Sequence, residues 1–150
     1  MNSNELTISA FAETDRRALQ TLYQEVRLQT FNWLNTTNAP LASFDADTVG
    51  EMVLVAKVKN EVAGFISIWL PNDFIHHLYV RDIWQGKGIG SALMDAAKAH
   101  FTGPATLKCL VSNERAILFY TKTGWASKAL GSSQECDYIL FERNFKQSLQ

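Results

Sequence analysis

Gln85-Gly86-Lys87-Gly88-Ile89-Gly90-Ser91 is the stretch on which the reading of this chain turns. It stands between the apolar run Phe74-Ile75-His76-His77-Leu78-Tyr79-Val80 and a segment whose Ile89, Leu93, Ala96, Ala97 and Phe101 recur at helical spacing. A glycine-rich link between a strand and a helix lets the backbone turn sharply and approach a ligand closely, because no Cβ intervenes. The first amides of the helix, together with its dipole, then converge on an anion. A pyrophosphate suits that position. A plain strand-to-helix turn is the bland alternative, and it seldom needs three alternating glycines.

Two familiar phosphate binders fail on spacing. A Walker loop requires Gly-x-x-x-x-Gly-Lys followed by Ser or Thr, but Lys87 lacks the upstream glycine and is followed by Gly88. A dinucleotide fingerprint requires Gly-x-Gly-x-x-Gly. Counting from Gly86 the third position falls on Ser91, and counting from Gly88 it falls on Leu93.

Upstream, 61–70 and 51–59 are rich in Val, Ile, Phe and Trp and are separated by Lys59-Asn60-Glu61, the pattern of a β-hairpin. Residues 32–50 lose periodicity in Asn, Thr, Pro, Ser and Asp, as lids and binding loops often do, with room for a short helix. Before them a helix is expected from about 14 to 31, with Thr14 as its cap and Leu19, Leu22, Tyr23 and Val26 on its apolar face. A first strand is expected over 6–11. Downstream, 105–112 reads as a buried strand, 113–123 as a helix closed by Gly124, and 125–130 and 136–143 as paired strands. Runs of antiparallel strands mixed with βα units imply an α+β fold: one domain over 1–150, with a mostly antiparallel sheet and helices on both faces.

With these elements in place the chain resembles the GCN5-related N-acetyltransferase (GNAT) superfamily. That family's cofactor motif, Gln/Arg-x-x-Gly-x-Gly/Ala, is met by Gln85, Gly88 and Gly90. Its second signature, Asn-x-x-Ala-x-x-x-Tyr-x-x-x-Gly-Phe, resembles Asn113 through Ala116, Tyr120 and Gly124 to Trp125. The resemblance implies a sheet splayed between its fourth and fifth strands and acetyl-CoA as donor substrate. It further implies cofactor contacts from Leu78, Tyr79 and Val80, from Gln85, Gly86, Lys87, Gly88, Ile89, Gly90 and Ser91, and from Asn113, Ala116, Phe119 and Tyr120.

Acetyl transfer to an amine needs a neutral amine, a polarised thioester carbonyl and a proton for the departing thiolate. The resemblance makes Tyr120 the acid, and a phenol with a reference pKa near ~10 is protonated at neutral pH. For the base, relatives place Glu or His on the fourth strand. Phe74 occupies the glutamate position and cannot accept a proton; His76 falls where histidine-using relatives carry theirs, and alternation puts His77 on the other face. Both histidines could equally serve only as hydrogen-bonding residues of the sheet. Trp33, Phe44 and Trp69, with Asp45, Asp47 and Glu51 nearby, belong to segments that line the acceptor cleft in relatives. Aromatics and acids there would suit a cationic amine, or else form a packed loop.

The resulting expectation is an N-acetyltransferase acting on a small-molecule or peptide amine by direct attack in a ternary complex. Neither motif contains a cysteine that would carry the acetyl group, and no metal is expected. A non-catalytic acyl-CoA-binding module on the same fold is the rival reading, and homodimerisation through an edge strand stays open. Net charge is -1 and Lys and Arg are scattered, which disfavours nucleic acid and anionic membrane as partners. With no signal-like N-terminus, no long apolar run and only two cysteines, a cytoplasmic protein is expected.

Overall fold

The computed structural model describes residues 5–30, 43–132 and 136–145. The strands β1 (Leu6–Ala10), β2 (Met52–Val58), β3 (Glu61–Trp69), β4 (Phe74–Val80), β5 (Ala105–Leu110), β6 (Ala126–Ser132) and β7 (Asp137–Arg143) hydrogen-bond in the order β1-β2-β3-β4-β5-β7-β6. Pairing is antiparallel for β1–β2, β2–β3, β5–β7 and β6–β7. β4 joins β5 in parallel, through Phe74 opposite Thr106 and Ile75 opposite Leu107. The helices are α1 (Arg16–Thr30), α2 (Ser43–Asp47), α3 (Ile89–Ala97) and α4 (Glu114–Lys122). The chain divides into two compact units, residues 1–68 with 77–99, and residues 69–76 with 100–150.

In the first unit β2 and β3 are buried on both faces, which is why they read as continuous apolar runs and not as alternating ones. Leu19, Leu22, Tyr23 and Val26 of α1 pack with Phe44, Val55, Val62 and Phe65. α3 lies against β1 and β2 and buries Ile89, Leu93, Met94 and Ala97. α2 is the short helix for which the irregular stretch left room; its Phe44 is 1% exposed and meets the rings of Tyr23 and Phe65 at 6.0 and 5.3 Å. The expected cap of α1 is corrected. Thr14 lies inside a 3-10 turn, Glu13–Asp15, and it is Asp15 that serves this end: its Oδ2 accepts the Ala12 amide at 3.0 Å and its Oδ1 takes Lys57 Nζ at 2.8 Å. A buried carboxylate serving an amide and an ammonium together is well compensated.

In the second unit Tyr120 and Trp125 pack with Phe141 and Phe145, and Phe101 stacks on Phe145 at 5.7 Å. Asp73 takes the left-handed backbone conformation (φ 50°) just before β4. Its carboxylate accepts the amides of Thr102 and Gly103 and the Thr102 hydroxyl at 3.0–3.1 Å, and its carbonyl accepts the Thr106 amide. These bonds fix the start of β4 beside β5. No helix among the described residues is long and apolar enough to cross a membrane.

Candidate functional site

β4 runs into a 3-10 turn, Asp82–Trp84, and then into the glycine loop. Gln85 turns its side chain back, and Nε2 donates to the Val80 carbonyl at 2.9 Å, closing the loop onto the end of the strand. Gly86 and Gly88 have φ of 78° and 85°, a region that L side chains rarely adopt. A Cβ at either would meet no atom within 4 Å, so the requirement for glycine is conformational and not steric. Gly90 differs, since it sits in the first turn of α3 and has no positive φ.

Gly88 is the N-cap of α3, and the first i→i−4 bond of the helix runs from the Ala92 amide to the Gly88 carbonyl at 3.0 Å. The amides of Ile89, Gly90 and Ser91 therefore precede the helical ladder, at the positive end of a nine-residue helix. The Ile89 side chain is buried in the core, so only its backbone is available to a ligand. Lys87 and Ser91 are exposed. This is an anion-binding geometry built mainly from backbone.

The second signature is organised differently. Asn113 caps α4, with Oδ1 accepting the Ala116 amide at 3.2 Å and its carbonyl accepting the Ile117 amide at 3.1 Å. Gly124 ends the helix at φ 96°, and the Trp125 amide returns to the Tyr120 carbonyl at 3.0 Å. Tyr120 is 8% exposed, its ring 5.3 Å from Phe119, 5.9 Å from Trp125 and 5.7 Å from Phe141. On β5, burial pushes the Cys109 thiol up to about 11, which leaves it protonated and a poor nucleophile at neutral pH.

On β4 the expected alternation holds locally: Ile75 and His77 are buried, Phe74, Leu78 and Val80 are half-buried, and His76 is exposed. The Tyr79 ring stacks on Tyr23 at 5.5 Å, and burial raises its phenol above the ordinary tyrosine value. His77 is the residue the sequence did not single out for chemistry. Its Nδ1 lies 2.8 Å from Ser67 Oγ and its Nε2 3.3 Å from Tyr23 Oη. Tyr23 Oη donates in turn to Asp47 Oδ2, and burial with that carboxylate raises the Tyr23 phenol far above its ordinary value. A ring nitrogen of His77 also lies within 4.8 Å of a Glu51 carboxylate oxygen and of a ring nitrogen of the adjacent His76. Both nitrogens of His77 also face a hydroxyl, Ser67 Oγ on one side and Tyr23 Oη on the other.

The residues expected to meet the acceptor separate as well. Phe44 spends its surface on the core, and Trp69 is 40% exposed. Trp33 lies outside the described residues. Asp45 is committed to Arg16 and, at 2.7 Å, to Gln20 Nε2.

A family model for the acetyltransferase (GNAT) family matches residues 16–125, well over half of the 150-residue chain. The protein therefore belongs to the GNAT family of acetyltransferases. Solved structures share the fold at low identity. The putative acetyltransferase yncA of Salmonella typhimurium, solved with acetyl-CoA, is 21% identical with a TM-score of 0.73, covering 94% of each chain. The PaiA N-acetyltransferase of Thermoplasma acidophilum, solved with coenzyme A, is 18% identical with a TM-score of 0.76, covering 93% of this chain and 99% of its own. A mutant of the spermidine N-acetyltransferase SpeG of Vibrio cholerae is 17% identical with a TM-score of 0.73, covering 99% and 98%. No curated protein matches the chain in sequence.

Proposed function

We propose that this protein transfers an acetyl group from acetyl-CoA to a primary amine of a small molecule or peptide, by direct attack in a ternary complex. The observation that carries the donor is the start of α3. Gly88 in the left-handed region presents the amides of Ile89, Gly90 and Ser91 ahead of the first helical bond, as a pyrophosphate requires. Gln85, locked to Val80, holds that loop against the end of β4, whose backbone at Leu78, Tyr79 and Val80 would accompany the pantetheine and acetyl part.

In this reading Tyr120 protonates the departing thiolate, and exposed His76 takes the proton of the attacking amine. The protonated thiol of Cys109 supports direct transfer over a covalent acetyl-enzyme. An amine acceptor is supported by the spermidine acetyltransferase among the structures of the same fold. A peptide acceptor is supported by another, Naa50 of Arabidopsis thaliana, solved with a bisubstrate analogue that joins CoA to a short peptide. Trp69 is the described aromatic left to meet such an acceptor.

Calorimetric titration with acetyl-CoA and release of free thiol across a panel of polyamines, arylalkylamines and peptide N-termini tests the reading. Binding together with acetyl transfer to any of these amines is expected. Binding without single-turnover transfer would instead make the protein an acyl-CoA-binding module, and absence of both would remove the donor assignment.

A further inference from the structure

The charge state of His77 follows from the groups around it. Tyr23 is 1% exposed, His77 6% and Ser67 0%, so their hydrogen bonds form with little competition from water. Tyr23 has one hydroxyl proton, and Asp47 takes it. The lone pairs of Tyr23 Oη then face His77 Nε2 at 3.3 Å and Arg27 Nη1 at 3.5 Å, so Nε2 must be a donor and carry a proton. On the other side of the ring, Ser67 Oγ at 2.8 Å can accept from Nδ1 as readily as donate to it. Tyr23 Oη and Ser67 Oγ are thus both able to accept from an imidazolium.

The surrounding charges settle which form the site holds. From α2 comes the Asp47 carboxylate, reached through Tyr23. From the residue preceding β2 comes Glu51, within 4.8 Å of a ring nitrogen and with one oxygen shielded from solvent. Against them stand Arg27 of α1 and the exposed His76 next along β4, while Tyr79 contributes a neutral phenol edge-on to the ring at 5.3 Å. Among the described residues, the Asp47 and Glu51 carboxylates thus oppose the Arg27 cation and the exposed ring of His76. A ring that must donate from Nε2 and can donate from Nδ1, with an excess of negative charge nearby to offset its burial, favours its protonated form.

We infer that His77 is a buried imidazolium, a positioning residue that binds α2 (through Tyr23 and Asp47) and the start of β2 (through Glu51) to β4. With both nitrogens protonated it has no lone pair to offer an amine, which separates its role from that of His76. The inference does not rest on acetyl transfer and survives a failure of that reading. Its consequence for stability has a definite sign. A histidine whose folded midpoint lies above its unfolded value of ~6.5 stabilises the fold fully below that pH, and the contribution is lost as pH rises through the folded midpoint.

Nitrogen-detected imidazole spectra of the full-length protein, labelled at its three histidines, test this across pH. The spectra of His76→Gln and His100→Gln, both at exposed positions, assign the His77 resonance by elimination. His77 is expected to titrate at least about one pH unit, or tenfold in proton affinity, above ~6.5. Asp47→Asn or Glu51→Gln is expected to lower that midpoint, and urea melts of the wild type should lose stability over the same upward pH interval. A midpoint at or below ~6.5, or one that neither substitution lowers, overturns the inference.

Discussion

The two signature segments carry equal weight as sequence, yet they are built on opposite principles. In 113–125 the marked residues are satisfied by the protein itself: Asn113 caps α4, Gly124 ends it, and Tyr120 and Trp125 are packed among aromatic rings. In 85–91 the marked residues hold a backbone shape, with Gly86 and Gly88 at positive φ, Lys87 exposed, and only Gln85 and Ile89 returning their side chains to the protein. The first kind of motif is explained largely by folding. The second is explained by what its amides face.

A matched pair of substitutions breaks or sharpens that contrast most directly. Gly88 and Gly124 both have positive φ, but a Cβ at Gly124 would stand 3.4 Å from the Arg143 guanidinium, whereas at Gly88 it would meet nothing within 4 Å. Gly88→Val forces the loop out of the left-handed region and moves the α3 amides, so acetyl-CoA affinity should fall at least about 100-fold, roughly 2.7 kcal/mol. Gly124→Val should instead lower the melting temperature while leaving affinity within about threefold, a change under ~1 kcal/mol. Calorimetry and thermal melts of both variants check this. Equal losses of affinity would mean that the two segments do not divide as described.

Tyr120→Phe is the next largest effect and tests whether the second segment is only structural. The ring packing against Phe119, Trp125 and Phe141 survives the loss of the hydroxyl, so the melting temperature should hold. Turnover should fall by about 10²-fold or more if the hydroxyl supplies the proton for the thiolate, with acetyl-CoA affinity nearly unchanged. Undiminished turnover would return Tyr120 wholly to the core.

Much of this was legible in the sequence because it is local. β4 occupies the expected residues 74–80, and the loop, α3 and α4 follow from spacing, glycine and cap chemistry. What was not legible depends on residues distant in the chain. Tyr23 and His77 are 54 positions apart and Tyr23 and Asp47 24, and no motif spans such separations. Alternation puts His77 off the face of His76 and leaves it a hydrogen-bonding residue of the sheet, because it says which way a side chain points but not what waits there. Thr14 looks like the cap of α1 by residue type; it lies inside the 3-10 turn, where Asp15 reaches back to the Ala12 amide and also meets Lys57, a partner 42 positions away. The acids expected to attract a cationic acceptor were likewise claimed from α1, Asp45 by Arg16 and Gln20 and Asp47 by Tyr23.

Asn113→Ala probes the structural side of the contrast at smaller amplitude. It removes the acceptor for the Ala116 amide, a loss of about 0.5–2 kcal/mol for an N-cap. For a chain of this size that corresponds to a fall of roughly 2–8 °C in melting temperature. Asn113→Asp and Asn113→Ser should restore most of it, since either side chain can accept the same amide. If affinity for acetyl-CoA fell together with stability and the serine variant recovered only the stability, Asn113 would have a ligand role beyond the cap.

The smallest effect is expected at Lys87, the one charged side chain of the glycine loop. It is exposed, so any contact with a phosphate is made in a high-dielectric, salt-screened setting. Lys87→Ala should weaken acetyl-CoA binding only about three- to fivefold at low salt, in the range of exposed ion pairs, and the difference should shrink as salt is added. Calorimetry at two ionic strengths measures both terms. A salt-independent loss larger than tenfold would show that the side chain, and not the backbone of α3, holds the anion. The loop would then owe its affinity to a charge, and Gly86 and Gly88 would matter chiefly for aiming it.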